Sequence, residues 1–128
     1  MNILLIEPDS MLAHVYKDVL EMTKQNTVRV SSGAQAAIMN ADDTTPDLVI
    51  LELQLIEHSG IEFLYEFRSY SEWQNIPVVV HTMVPFAEFI DNWNLLRDEL
   101  GVRAYLYKPN TSLVQLRSYV DEQSLITT

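Results

Sequence analysis

The sequence predicts a doubly wound α/β domain, a five-stranded parallel sheet with helices on both faces. Three observations predict it. Short, almost fully apolar runs recur along the chain, amphipathic helical patterns separate them, and the alternation repeats five times without repeats, low-complexity segments or an internal linker. Continuous apolar runs rich in β-branched residues suit strands covered on both faces, as in a parallel sheet. Right-handed crossovers then distribute the helices over both faces.

Ile3-Leu4-Leu5-Ile6 is the first strand. Over residues 10–23, Leu12, Val15, Val19 and Met22 recur at helical spacing, with Ser10 as N-cap. Thr27-Val28-Arg29-Val30 alternates and reads as an edge strand, and an Ala-rich helix follows over residues 33–40. Leu48-Val49-Ile50-Leu51 is the third strand. Ile61, Leu64 and Phe67 line one face of a third helix, which ends before the polar segment 69–75. Val78-Val79-Val80 is the fourth strand. A helix over residues 88–100 carries Phe89, Trp93, Leu96 and Leu100 on one stripe, with Gly101 as its C-cap. The weaker run Ala104-Tyr105-Leu106-Tyr107 gives the fifth strand, and Leu113, Leu116 and Val120 mark the last helix. Residues 1–122 form one domain, and 123–128 read as a flexible tail.

Composition removes several function classes. Hydrophobic residues make up 48% and charged residues 20%, the balance of an ordinary globular protein. No apolar run approaches the roughly 20 residues that cross a bilayer, and the first strand is too short for a secretory leader. With no cysteine there is no disulfide framework and no thiolate metal site, which together points to the cytoplasm. The net charge is −10, and the eight basic residues are scattered. Phosphate backbones need clustered Lys and Arg, so direct nucleic-acid binding is not expected. The acidity serves solubility.

In open α/β sheets, sites form beyond the carboxyl ends of the strands. Those positions hold Glu7, Glu52, Thr82 and Lys108, which brings two carboxylates, a hydroxyl and an ammonium to one edge.

The chain resembles the receiver domains of bacterial two-component response regulators, over residues 1 to 122. The resemblance rests on Ile6-Glu7-Pro8-Asp9, Pro46-Asp47-Leu48-Val49-Ile50-Leu51-Glu52, Ser59-Gly60, Ile76-Pro77-Val78-Val79-Val80-His81-Thr82 and Tyr105-Leu106-Tyr107-Lys108-Pro109. It implies a flavodoxin-like (βα)5 fold. It also implies an acidic pair holding Mg²⁺, an aspartate accepting a phosphoryl group from a histidine kinase, and a Thr and a Lys contacting that group. Thr82, Lys108 and Pro109 match these roles, Tyr105 falls on the aromatic switch position, and the bond before Pro109 is expected to be cis.

Two departures bear on the chemistry. The phospho-acceptor position is Glu52, whose extra methylene displaces the carboxylate, and a misplacement of about 1 Å can cost roughly a hundredfold in rate. In the acidic pocket Glu7 is followed by Pro8, which has no side-chain oxygen; Asp9, one position later, is read as a capping residue. Mg²⁺ demands a near-ideal octahedron of oxygens, so its binding is expected to be weak or absent, with no other cofactor. Met83 adds bulk where the family keeps access open.

Glu52 and Lys108 can pair so as to hold an activated-like arrangement, or merely to satisfy two half-buried charges. Glu7, Glu52 and His81 form a weaker alternative, a metal site. His14 and His58 read as ordinary helix and loop residues. The interval from Thr82 to Lys108 exceeds the family's usual one by about one helical turn. Within it Phe86, Phe89, Ile90 and Trp93 outnumber what a buried stripe needs and mark a partner or homodimer interface.

The resulting reading is an atypical receiver domain, a pseudo-receiver. It is not an enzyme, and it acts as a phosphorylation-independent interaction or dimerisation module toward a histidine kinase or effector protein. The alternative is a phosphorylatable regulator that uses the altered acidic site in a phosphorelay. An enzyme on the same architecture ranks last, because there is no Gly-rich phosphate loop and no nucleophile–base pair.

Overall fold

The computed structural model describes residues 1–127, with side chains through Ser124. Five parallel strands, β1 (Asn2–Ile6), β2 (Thr27–Ser31), β3 (Leu48–Leu51), β4 (Val78–Thr82) and β5 (Val102–Tyr107), form one sheet in the order β2-β1-β3-β4-β5. Alternation along each strand divides the core into two layers. Leu4, Ile6, Val49, Leu51, Val78 and Val80 face α2 (Ala34–Asp43) and α3 (Gly60–Ser69). Ile3, Leu5, Leu48, Ile50 and Val79 face α1 (Ser10–Leu20) and α4 (Leu113–Thr127). The α/β architecture read from the apolar runs is therefore present.

The first helix turns a different face to the sheet than its stripe suggests. Ala13, Tyr16 and Leu20 are buried, while Leu12, Val15 and Met22 are exposed. The two sets are offset by one residue, about 100° around the helix. Small Ala13 and the ring of Tyr16, which meets His81 edge-on at 4.8 Å, fit the space above the sheet. The N-cap is Asp9, whose carboxylate accepts the N–H groups of Met11 and Leu12 at 3.0 Å each; Ser10 is the first helical residue.

The continuous α-helix expected over residues 88–100 does not form. The chain winds instead as two 3₁₀ turns, Phe86–Glu88 and Ile90–Asn92, and a π-helical turn, Leu95–Glu99. Aromatic packing competes with helical geometry here. Phe86 meets Tyr105 at 5.2 Å and Trp93 at 5.5 Å, and Phe89 lies 6.1 Å from Tyr105. Phe86 and Phe89 meet the strand residue Tyr105 and Trp93 meets Phe86, while Phe89 itself, at φ −118° and ψ 6°, breaks the helical run between the two 3₁₀ turns. Leu96 and Leu100 are nevertheless buried as expected.

Among the described residues no peptide bond is cis, so the expectation for Pro109 is corrected. Pro109 lies in a 3₁₀ turn, Lys108–Asn110, closed by the Thr111 N–H on the Lys108 carbonyl at 3.1 Å. Proline's preset φ suits the start of such a turn, and the trans form is favoured by about 0.5–1 kcal/mol. Ser112 and Gln115 cap α4 reciprocally at 3.1 and 2.8 Å, and the helix continues through Thr127. The stretch read as a tail is thus helical over 123–127; Thr128 lies outside the described residues.

Gly60 closes the loop after β3, where an added Cβ would lie 2.7 Å from the Leu53 Cα. Gly101 ends the π-helical turn at φ 69°, and a Cβ there would land on the Arg68 guanidinium. Gly101→Ala should therefore destabilise the fold by at least about 1–2 kcal/mol, the cost of a left-handed non-glycine residue. A shift of the urea midpoint at unchanged slope is the expected reading.

Candidate functional site: a closed carboxylate–ammonium cluster

Parallel topology brings the ends of β1, β3, β4 and β5 to one edge. Glu7 is positioned by its N–H on the Ser31 carbonyl, and Glu52 by its N–H on the Ile6 carbonyl, each at 3.0 Å. Both are 3% exposed, and Thr82 is fully buried. The Lys108 Nζ donates to Glu7 Oε1 at 2.6 Å and to Glu52 Oε1 at 2.8 Å, so one ammonium bridges two carboxylates. The four residues predicted to converge do converge.

Every carboxylate oxygen in the cluster has a donor. Glu7 Oε2 accepts from the Asp9 N–H at 3.1 Å. Glu52 Oε1 also accepts the Met83 N–H at 3.2 Å, while its Oε2 accepts from the Thr82 hydroxyl and from the Gln54 N–H at 3.1 Å. No buried side-chain nitrogen or oxygen among the described residues lacks a partner. Burial opposes the charge on Glu52, but Lys108, Thr82 and Gln54 outweigh it and hold its pKa below the usual carboxylate value. Burial likewise opposes the charge on Lys108, and bonds from Glu52 and Glu7 raise its pKa above that of an ordinary lysine.

The cluster connects to the segment after β4. The Thr82 hydroxyl accepts the Val84 N–H at 3.2 Å, and the Tyr105 hydroxyl donates to the Val84 carbonyl at 2.6 Å. One residue, Val84, thus links the carboxylate site to the predicted switch tyrosine. Beyond it Phe86, Phe89 and Trp93 are partly buried against Tyr105 or the core, whereas Ile90 is 59% exposed.

The donors needed for an octahedral cation are engaged elsewhere. Pro8 offers no side-chain oxygen, the Asp9 carboxylate caps α1, and the oxygens of Glu7 and Glu52 face Lys108 and N–H groups. The residues do not fit a Mg²⁺ ion in this arrangement. The weaker combination of Glu7, Glu52 and His81 is not assembled either. His81 packs on Tyr16, and no three His, Asp or Glu side chains among the described residues are grouped to hold a metal.

Tyr16 escaped the sequence reading. Its ring touches His81 and also faces the Lys108 Nζ, which sits 5.8 Å from the ring centroid. The signal was one position away from the stripe chosen for α1. The N–H groups of Gln54 and Met83 also escaped, because backbone donors carry no residue signature.

This geometry, a five-stranded parallel sheet with a Lys, a Thr and acidic groups at its carboxyl edge, defines a receiver-type signalling fold. The family described as "Response regulator receiver domain" matches residues 3–121, and the chain belongs to it. The chain is similar to the polar-differentiation response regulator DivK of Brucella ovis, 29% identical over 108 residues and covering 84% of each chain. Among solved structures it resembles the Francisella response regulator 1452 receiver domain, with TM-score 0.81, 20% identity, and coverage of 99% of this chain and 98% of that one. It also resembles a CheY-like receiver domain protein from Methanospirillum hungatei, with TM-score 0.79, 20% identity, and coverage of 96% and 95%.

Proposed function

We propose that this receiver domain works in signal transduction as a phosphorylation-independent protein–protein interaction module. The observation that carries the reading is the closed bridge from Glu7 through Lys108 to Glu52 and Thr82. An acceptor carboxylate must present a free oxygen to a phosphodonor. Both Glu52 oxygens are committed to two donors each, and Lys108 stands between the carboxylates where a cation would have to enter.

Glu52 already draws Thr82 and Lys108 together, as a phosphoryl group would, although with one negative charge instead of nearly two. The Thr82–Val84–Tyr105 linkage then holds the segment after β4 in one conformation. That segment, with exposed Ile90 above the aromatic cluster, is the surface offered to a protein partner such as a kinase or effector. The module carries no catalytic activity of its own, needs no Mg²⁺, and acts in the cytoplasm.

Retention of Thr82, Tyr105 and Lys108 favours the second reading, in which the altered site still accepts phosphate. Protein mixed with Mg²⁺ and beryllofluoride, followed by amide NMR near Thr82 and Tyr105, separates the two. No saturable shift is expected. Glu52→Asp alone should also stay silent, because Pro8 still supplies no oxygen, whereas Pro8→Asp with Glu52→Asp should gain a saturable response. A response from the unmodified chain, or a full gain from the single change, would reject this reading.

A further inference from the structure

The far end of the sheet, where β4 and β5 begin, carries a second polar feature. Arg68, Arg97 and Arg103 line one open cavity of about 420 Å³, with the carboxamides of Gln74 and Asn75 beside them and no acidic residue in its wall. These are three of the chain's eight basic residues, gathered at one place in a chain with eighteen acids. A random scatter of so few cations over so acidic a surface would put carboxylates between them.

Arg68 is fixed before anything binds. Its Nε donates to the Leu100 carbonyl at 2.9 Å, its Nη1 to the Trp73 carbonyl at 2.6 Å, and its Nη2 to the Ile76 and Gly101 carbonyls at 2.6 and 3.4 Å. Carbonyls accept hydrogen bonds but neutralise no charge, and among the described residues no carboxylate lies within ion-pairing distance of this half-buried guanidinium. Among the described residues Arg103 also has no acidic partner; its Nη1 donates to the Gln123 amide oxygen at 3.4 Å. Only Arg97, at the rim, pairs with an acid, Asp98 at 2.9 Å. The cavity therefore holds more positive charge than its own residues compensate.

We propose that this cavity binds a small organic phosphate ester. A carboxylate needs one guanidinium fork, whereas a phosphate monoester presents three oxygens and nearly two charges, which suits several. Ile76, partly exposed in the same wall, offers apolar contact to the organic part. The volume falls within the roughly 300–1,000 Å³ of small-molecule sites. Because the cavity lies away from Glu7, Glu52 and Lys108, the proposal stands whether or not Glu52 accepts phosphate. A polynucleotide is not implied, since the arginines form no extended stripe.

Adenosine monophosphate is a suitable probe, with adenosine as the uncharged control and ionic strength held constant with sodium chloride. Saturable NMR shifts are expected at the Arg97 and Arg103 side chains and at the Asn75 and Val102 amides, with a Kd of about 1 mM or tighter and none from adenosine. The double change Arg97→Ala, Arg103→Ala should weaken binding at least about tenfold, the loss of one charge-assisted bond. Both side chains are exposed, so the variant should melt like the parent; Arg68 is left intact because it ties the backbone together. Shifts that chloride reproduces, that spread over the whole surface, or that survive the double change would overturn the proposal.

Discussion

Lys108→Met should destabilise the domain by about 3–5 kcal/mol at pH 7, the range seen when one partner of a buried ion pair is removed. Among the described residues it is the only cation bonded to Glu7 and Glu52, whose side chains are 3% and 4% exposed. Without it, two nearly dry carboxylates are left at one edge, and Glu52 is relieved of its buried charge only by taking a proton. The pH dependence should therefore invert. In the parent chain the depressed Glu52 pKa gives stability that is present above the unfolded value and is lost as pH falls through the folded one. In the variant, burial without the Lys108 charge pushes the Glu52 pKa up instead of down, so its deficit should shrink as pH falls from 7 to 5. Urea unfolding of both proteins at the two pH values checks this; a deficit that is constant with pH would show that Lys108 acts through packing alone.

The second large effect belongs to His81. Burial, reinforced by the nearby Lys108 charge and opposed by Glu52, lowers its pKa to about 4. A histidine that stays neutral when folded but protonates when unfolded makes the unfolded chain bind more protons between those two values. Stability is thus fully present above about pH 6.5 and falls as pH drops toward 4, by roughly 3 kcal/mol in total. His81→Leu should flatten that limb while leaving the Glu52 contribution below it. The ring also packs on Tyr16, so the variant should lose some stability at pH 7, and the readout is the slope with pH, not the level. An unchanged slope would mean that His81 titrates normally.

Much of this was legible in the chain. Leu48-Val49-Ile50-Leu51 reads as a strand covered on both faces, and once the strands were ordered, their carboxyl ends placed Glu7, Glu52, Thr82 and Lys108 together. The two helix misreadings share one cause. On α1, Leu12 and Val15 repeat as regularly as Ala13 and Tyr16, and periodicity cannot say which face the sheet will accept. Over residues 88–100 the helical spacing was real, but Phe86 and Phe89 pack on the Tyr105 ring of β5, which local pattern does not contain. The hydrogen bonds of Gln54 and Met83 to Glu52 depend on loop shape, which no side-chain alphabet encodes.

The rejected stripe of α1 has a consequence of its own. Leu12, Val15 and Met22 stay in water, and Leu113 and Val114 of α4 lie exposed as well. Such greasy skin would ordinarily make identical molecules cling to one another. Ten surplus negative charges per molecule push the other way. That repulsion reaches only about 8 Å at physiological ionic strength, so salt sets how closely neighbours approach before the oily side chains take over. Dispersal of this small domain in solution is thus a balance between its unburied methyl groups and its acidity.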